Sequence, residues 1–292
     1  MRKKFIDPLI PRKLNLSKKV QYYKKNIPLP SVIEISESGT CNRVCSFCPR
    51  SAPDFSDIKE FISENLIIKL TKELSSYNYS GIFLFSGFIE PMLDKNIYNL
   101  ISIARSNLPK AKIEMVTNGD ALDEGRVKKL FSSGLSTLLV SIYDGKKEAG
   151  EMQKLLESSG LNEEQFKIRH RYLPESQSFG ITLNNRAGMM EKAAYVIPSL
   201  KEPMKKPCYY PHYTFFLNYT GEVLICSHDW GKKLVAGNLN NEKFIDIWLG
   251  KKFIFARKNL FKENRNFSPC NKCDVSGTFM GHTHAKVWQE IK

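Results

Sequence analysis

Several features that would assign a protein to other classes are missing from this 292-residue sequence. It contains no apolar run of about eighteen residues, so no segment is predicted to span a membrane. The basic N-terminus lacks the apolar stretch that a secretory signal requires. Internal repeats and low-complexity tracts are also absent. With 42% hydrophobic and 25% charged residues, the composition is that of an ordinary soluble protein, and we expect it in the cytoplasm.

Negative charge is scarce, and the net charge of +14 is unevenly spread. Residues 1–30 contain nine Lys or Arg and one acidic residue. Such an arm favours phosphates, nucleic acid or an anionic membrane face, or it is simply a solvated extension. Because no RNA-binding signature with interleaved aromatic residues accompanies it, we do not expect nucleic acid as a partner. We expect a small-molecule or carrier-linked substrate that is anionic.

Strand and helix patterns alternate over the first two thirds of the chain. Short β-branched or apolar runs predict strands, and apolar residues at helical spacing, as in 63–78 with Ser63 as N-cap, predict helices between them. The predicted strands are 31–36, 81–88, 112–120, 137–145, 166–173 and 180–188. About six β/α units indicate a parallel sheet, and they span too few residues for a closed eight-unit barrel. We therefore predict an α/β fold with a partial, open (β/α)6 barrel.

The pattern changes near residue 195, where a Pro- and Lys-rich segment indicates a linker. Beyond it, two strands joined through 218–221 indicate a hairpin, and 244–261 is predicted to be helical although Gly250 lies inside it. The C-terminal segment 281–292 is expected to be a solvated terminus, where His282 and His284 are weak metal-ligand candidates.

Seven cysteines are present, an odd number in a chain too long to need disulfide staples, so metal or redox chemistry is indicated. Three of them, Cys41, Cys45 and Cys48, lie within eight residues and have no fourth cysteine nearby; we call them the first cysteine site. Three thiolates can hold three irons of a 4Fe–4S cluster and leave the fourth iron open to a small molecule. A three-cysteine zinc site or inert thiols are the alternatives, and zinc fits this spacing poorly.

The Cys-x3-Cys-x2-Cys spacing, with Phe47 before the last cysteine, resembles the radical S-adenosylmethionine (SAM) superfamily. The resemblance implies that SAM binds the open iron and is cleaved to a 5′-deoxyadenosyl radical, using electrons from a one-electron reductant such as flavodoxin or ferredoxin. It implies that Glu90, in "SGFIEP", binds the methionine ammonium. Ile89 departs from the glycine usual there, which puts the local backbone in question. Asn118 and Ser141 lie where family members contact SAM, and a simple strand-end hydrogen bond is an equal alternative for each.

The remaining four cysteines, which we call the second cysteine site, are Cys208, Cys226, Cys270 and Cys273. Four thiols suit either zinc or a fully ligated 4Fe–4S cluster. Their spacing resembles the SPASM/twitch domain of radical SAM enzymes, in the twitch form with one auxiliary cluster. The resemblance implies a radical SAM partial barrel over 31–194 and an auxiliary-cluster domain over 208–280. The linker over 195–207 is predicted from composition, and the basic extension over 1–30 and the tail over 281–292 lie outside the resemblance.

Segments such as "NNRAG" and "GEVLICSHDWGKKLVAGN" are similar to the 2-deoxy-scyllo-inosamine dehydrogenase branch of that family. The resemblance implies that an alcohol carbon of a sugar, cyclitol or nucleotide-linked sugar is oxidised to a ketone, with the auxiliary cluster as electron acceptor. It implies a catalytic role for Arg186, whose guanidinium suits a hydroxyl or phosphate oxygen. A strand-end salt bridge is the alternative for this residue. Arg169 and Arg171 are weaker candidates, and strand alternation prevents His170 from sharing their side of the strand.

Two other function classes stay open at this stage. A radical epimerase or peptide-modifying enzyme would carry the same two clusters. A zinc-stabilised binding protein would carry no iron at all. Oxidation is favoured over epimerisation because seven cysteines divided into sets of three and four leave no free thiol as hydrogen donor, so a tyrosine such as Tyr143 or Tyr172 would have to replace it.

Overall fold

A computed structural model describes Pro11 and residues 14–15, 18–24, 26–172 and 183–291 of the chain. Among these residues the strands are, in chain order, β1 Tyr22–Tyr23, β2 Ile27–Pro28, β3 Val32–Ser36, β4 Ser38–Gly39, β5 Ile58–Phe61, β6 Ile82–Phe85, β7 Lys112–Thr117, β8 Thr137–Ile142, β9 Phe166–His170, β10 Thr214–Asn218, β11 Glu222–Leu224 and β12 Val235–Asn238. Eight of them form one sheet in the order β12-β11-β10-β3-β6-β7-β8-β9. The stretch from β10 to β9 is entirely parallel, so its strands end at one edge.

Helices cover the sheet between successive strands. The α-helices in the described residues after position 18 are Glu64–Ser76, Ile97–Asn107, Glu124–Ser132, Lys146–Ser158, Tyr210–Tyr213, Phe244–Trp248, Lys251–Phe261 and His282–Glu290. The first of them begins as predicted, because the Ser63 side chain accepts a hydrogen bond from the main-chain N–H of Leu66 at 3.3 Å. Its apolar face, including Leu70 and Leu74, is fully buried against the sheet.

Five of the six predicted parallel strands are confirmed, but the sixth is provided by a different segment. Of the predicted strand 180–188, the first three positions lie outside the described residues, and 186–188 form a 3₁₀ turn. Arg186 and Ala187 have positive φ angles of 47° and 53°, which no strand accommodates. The main-chain N–H of Asn185 donates to Asp274 Oδ1 at 2.9 Å, so it is not available to pair with a neighbouring strand. The sixth parallel strand is β10, which pairs with β3 in register from Thr214 to Asn218.

The C-terminal third continues the same sheet. The predicted hairpin is confirmed, with Gly221 at φ +87° in the turn between β10 and β11. Strand β12 was not predicted, and it adds to the outer edge beside β11. The helical prediction for 244–261 is divided in two, because Gly250 adopts an extended ψ of 158° and starts the second helix.

The tail is not a solvated terminus over its described part. Residues His282–Glu290 form a helix, and His284 within it is fully buried. The His284 Nε2 atom lies 2.9 Å from the Ser31 hydroxyl, at the beginning of β3. The rings of Trp288, in the tail, and Trp248 both contact the guanidinium of Arg257. Aromatic and buried polar contacts therefore attach the tail, which the sequence pattern did not indicate.

Candidate active site and auxiliary cysteine site

A cavity of about 310 Å³ lies at the carboxyl ends of the parallel strands. The side chains that the sequence singled out for SAM and substrate all line it, although they come from five separate segments. These residues are Cys41, Cys45, Phe47, Cys48, Glu90, Asn118, Ser141 and Arg186. The prediction that the loops after the strands meet on one face is confirmed, because parallel strands end together.

The loop that carries the first cysteine site is fixed by hydrogen bonds and ion pairs. Its turn is closed by the main-chain N–H of Cys48, which donates to the carbonyl oxygen of Cys45 at 2.9 Å. Arg43 pairs with Asp120, with Asp144 at 3.0 Å and with Glu148 at 3.2 Å, all on the segments after β7 and β8. Three carboxylates around one guanidinium hold the loop against the sheet and leave little of its positive charge uncompensated.

The thiols of the first site are costly to ionise in the protein alone. Burial raises the pKa of Cys45 to about 12, and the neighbouring Cys48 and Cys41 thiols add to the rise. Burial also raises the pKa values of Cys41 and Cys48. Bound iron would reverse this, since it stabilises thiolates directly. Three half-buried thiols lining one cavity therefore fit a cluster that leaves one iron facing the cavity.

Glu90 is a buried carboxyl group at the cavity wall. Its Oε1 accepts from Thr117 Oγ1 at 2.5 Å and from the main-chain N–H of Met92 at 3.0 Å, and its Oε2 accepts from the Asn118 N–H at 2.7 Å. Burial raises the pKa of Glu90 to about 7 despite these bonds. A cationic group in the cavity would take the place of the proton, so the site suits an ammonium ligand.

Ile89, at the position where the family usually has glycine, does not distort the cavity wall. The positive φ angle in the segment, 120°, belongs to Gly87, whereas Ile89 is outside the positive-φ region. A side chain at Gly87 would approach Ser36 and Phe216 too closely, so glycine is required there.

Asn118 and Ser141 both form the strand-end hydrogen bonds that the sequence offered as one interpretation of these residues. Asn118 donates from its side chain to Asn42 Oδ1 at 2.7 Å, and Ser141 Oγ accepts from Arg169 at 3.2 Å. Both are strand-end hydrogen bonds, and both side chains also line the cavity. Their contact with SAM stays a prediction. Phe47 lines the same cavity, and its ring centroid lies 5.5 Å from that of Tyr143.

Alternation along β9 divides the basic side chains as predicted. Arg169 and Arg171 line the cavity, whereas His170 points elsewhere, with its Nδ1 atom 3.2 Å from the Tyr172 hydroxyl. Two guanidinium groups therefore face the same space as Arg186, on the side of the cavity formed by β8 and β9.

Sequence reasoning missed two residues that form the wall between the two cysteine sites. Tyr210 and His228 line the large cavity and also the small one around the second site. Arg186 Nη1 lies 3.3 Å from His228 Nδ1, and His228 Nε2 lies 3.1 Å from the Tyr210 hydroxyl. Because arginine only donates, Nδ1 of His228 accepts and its Nε2 carries the hydrogen. The position of His228 two residues after Cys226 was the available signal.

The second cysteine site is closed and apolar. Its four cysteines surround a space of about 30 Å³ between β11, the helix 251–261 and the segment after it. Burial raises the pKa of Cys273 to about 11, and it raises that of Cys226 much further. Gly277 has a positive φ of 72°, and a Cβ there would lie less than 3.0 Å from the Cys208 sulfur. Four thiols around one small space, with Cys208 buried and the other three half-buried, fit a fully ligated cluster.

Two family profiles match the chain in the order of these two sites. The Radical SAM superfamily matches residues 35–185, and the SPASM iron-sulfur cluster-binding domain matches residues 208–274. Among curated proteins, the S-adenosyl-L-methionine-dependent 2-deoxy-scyllo-inosamine dehydrogenase of Niallia circulans is 30% identical over 247 residues. The match covers 84% of this chain and 92% of that protein.

Solved structures show the same architecture. BtrN in complex with AdoMet and 2-DOIA is 27% identical, with a TM-score of 0.72 over 87% of this chain and 98% of that one. The native anSMEcpe structure with bound AdoMet shares the fold at 14% identity, with a TM-score of 0.55 over 89% of this chain and 95% of that one. The superfamily profile alone covers slightly more than half of the 292 residues. This chain therefore belongs to the radical SAM superfamily, as an enzyme that uses SAM, a SAM-binding 4Fe–4S cluster and an auxiliary cluster.

Proposed function

We propose that the chain oxidises an alcohol carbon of a sugar, cyclitol or nucleotide-linked sugar to a ketone. The observation that carries the proposal is the wall between the two cysteine sites, where Arg186, His228 and Tyr210 are hydrogen bonded in series. A substrate that touches Arg186 in the large cavity is separated from the second cysteine site by only these side chains. The similarity to a dehydrogenase with a related sequence supports the same reaction.

When bound, the two clusters and SAM supply a 5′-deoxyadenosyl radical, which takes a hydrogen atom from the alcohol carbon, and an acceptor for the second electron. We propose Cys41, Cys45 and Cys48 as ligands of the first cluster and Cys208, Cys226, Cys270 and Cys273 as ligands of the second. Glu90 receives the methionine ammonium, and Asn118, Ser141 and Phe47 complete the SAM pocket. Loss of the hydroxyl proton must accompany loss of the electron, and Arg186 stabilises the oxygen while its negative charge develops.

The alternative reaction, epimerisation, would return a hydrogen atom to the carbon radical. All seven cysteines lie in the two cysteine sites, so no thiol is left as a donor. Tyr143 lines the cavity, but O–H donation is harder than S–H donation.

Mass spectrometry of product formed in deuterated water distinguishes the two reactions. We expect the product to have lost two hydrogen atoms relative to the substrate and to carry no solvent deuterium at the reacting carbon. A Cys45→Ala enzyme is the control for background chemistry. A product of unchanged formula with one deuterium at carbon would overturn the proposed oxidation.

We further propose that the substrate carries a phosphate or carboxylate. Arg169, Arg171 and Arg186 all line the cavity, and guanidinium groups hold such anions by paired hydrogen bonds. The test compares 5′-deoxyadenosine release with a phosphorylated sugar and with its neutral counterpart. We expect the phosphorylated compound to act at lower concentration and to lose this advantage in an Arg171→Gln enzyme. Equal action of the neutral compound would contradict the proposal.

None of the seven cysteines forms a disulfide, and all of them are proposed cluster ligands, so they require a reducing environment. We therefore propose a cytoplasmic location, where a flavodoxin or ferredoxin can deliver single electrons to the first cluster. In the described part of the chain, no helix is long and apolar enough to cross a membrane.

A further inference from the structure

The second cysteine site contains a buried cation of its own. Arg265 lines the same small space as the four cysteines, and only 2% of its surface is exposed. It lies in the polar "KENRNFSP" segment, five residues before Cys270, and belongs to none of the sequence motifs described above.

Arg265 is held by acceptors that carry no net charge. Its guanidinium donates to the carbonyl oxygens of Lys206 at 2.9 Å, Pro207 at 2.8 Å, Val275 at 2.7 Å and Ser276 at 2.7 Å. The remaining contact is to the Met204 sulfur at 3.7 Å. These acceptors belong to the segments that lead into Cys208 and out of Cys273, so the guanidinium also ties the two ends of the site together.

The acidic residues near the second site are engaged by main-chain N–H groups. Asp229 is itself engaged by two main-chain N–H groups, those of Lys233 and Leu234. Asp274 accepts from the main-chain N–H of Asn185 at 2.9 Å.

We propose that Arg265 raises the reduction potential of the auxiliary cluster and so makes it a better electron acceptor. A cluster becomes more negative when it gains an electron, and a buried positive charge beside it stabilises that reduced form. Charge and hydrogen bonding around the sulfurs are known determinants of such potentials. The role in accepting the substrate electron rests on the proposed oxidation, whereas the effect on the potential does not.

The test is a redox titration monitored by electron paramagnetic resonance, on full-length protein reconstituted with iron and sulfide. A Cys45→Ala background removes the first cluster and leaves the auxiliary signal alone. In that background we compare Arg265→Met, which removes the charge, with Arg265→Lys, which keeps it. We expect Arg265→Met to lower the equilibrium constant for reduction at least tenfold, which is about 59 mV for one electron. Arg265→Lys should stay closer to the unsubstituted chain.

A matched control is Arg257→Met, because Arg257 is another buried arginine held by carbonyl oxygens but does not line the cysteine cavity. It should leave the potential unchanged. If Arg265→Met loses iron, Arg265→Gln replaces it in the comparison.

Three results would overturn the proposal. The first is an unchanged reduction potential in iron-loaded Arg265→Met. The second is an equal fall in potential in Arg265→Met and Arg265→Lys. The third is loss of auxiliary iron from the Met, Lys and Gln variants of Arg265, which would make the residue purely structural. A shifted potential in an enzyme that yields an epimer would leave the effect of Arg265 intact and contradict only the proposed oxidation.

Discussion

Arginine side chains near the two cysteine sites have different hydrogen-bond partners, carboxylates at the first site and neutral acceptors at the second. At the first site, both arginines of the cysteine loop itself are compensated by carboxylates, Arg43 by Asp120, Asp144 and Glu148, and Arg50 by Asp57 at 2.5 Å. At the second site, Arg265 is held by carbonyl oxygens and a sulfur. Compensated cations leave a cluster hard to reduce, whereas an uncompensated one makes reduction easier. The difference matches a strong electron donor at the first site and an electron acceptor at the second.

The sites differ in construction as well. Three thiols of the first come from one loop of eight residues and face a large cavity, which leaves room for a small-molecule ligand. The thiols of the second come from three distant segments and enclose a space with about a tenth of that volume. An open site needs a cavity and a fixed loop, while a closed site needs the tertiary fold to bring its ligands together.

The largest expected effect separates the two sites by cysteine replacement. Cys45→Ala should reduce SAM cleavage to background, because the open cluster is lost with it. Cys273→Ala should retain part of the cleavage and lose ketone formation, because only the electron acceptor is disturbed. Chromatography of 5′-deoxyadenosine and of product, beside iron analysis, measures both. Release of 5′-deoxyadenosine by Cys45→Ala would show that the roles of the two sites are wrongly assigned.

A glycine replacement should damage the second site alone. At Gly277, a Cβ would collide with the Cys208 sulfur, and the positive φ adds strain. We expect Gly277→Ala to lose the auxiliary iron, about four of about eight per chain, and to keep SAM cleavage. Gly150→Ala, in the helix Lys146–Ser158 with open space around the new methyl group, is the control and should keep all the iron. Equal iron in both variants would mean that Gly277 does not constrain the site.

Replacing Arg186 tests the connection between the sites. Arg186→Gln should lower ketone formation by about 10²-fold, the usual consequence of losing one group that stabilises a developing oxyanion. Cleavage of SAM without product should continue, since the first cysteine site is untouched. Arg186→Lys should recover part of the activity if charge is what matters, and its failure to exceed Arg186→Gln would favour a geometric role through His228. Single-turnover product yields measure the difference.

The sequence predicted the first site better than the second for a physical reason. Strand-end residues such as Glu90 and Asn118 follow buried strands, and parallel strands bring their ends together whatever the details of packing. The helix stripe with Leu70 and the cap at Ser63 are local in the same sense. Such features depend on spacing along the chain, so the pattern was sufficient to predict them.

Features that depend on long-range contacts were missed or wrongly predicted. Arg265 becomes important only because segments some sixty residues before it fold over its guanidinium. The sixth parallel strand was assigned to 180–188 because its composition suits a strand, whereas β10 fills that position through pairing with β3. The tail was expected in solvent because two histidines and few apolar residues gave no sign that His284 would be buried. Tertiary contacts decide each case, and propensity does not encode them.

The smallest effect concerns protonation at the first site. The pKa of Glu90 is raised from 4.5 to about 7, chiefly by burial, with a smaller contribution from Asp120. The folded protein therefore keeps a proton that the unfolded chain releases between these values. Its free energy of unfolding should fall as pH rises from about 4.5 to about 7, by up to about 3 kcal/mol from this group.

Urea unfolding of the iron-free chain at about pH 5 and about pH 7.5 measures that fall, with Glu90→Gln as the comparison. Glu37 and Asp94 are also buried with raised pKa values, so they contribute a fall that both proteins share. The difference between the two slopes therefore isolates Glu90. The variant should lose less stability with rising pH, because an amide cannot ionise. Identical slopes would mean that Glu90 is already ionised at pH 5, and the first site would then hold a fixed negative charge in place of a proton that a cationic ligand displaces.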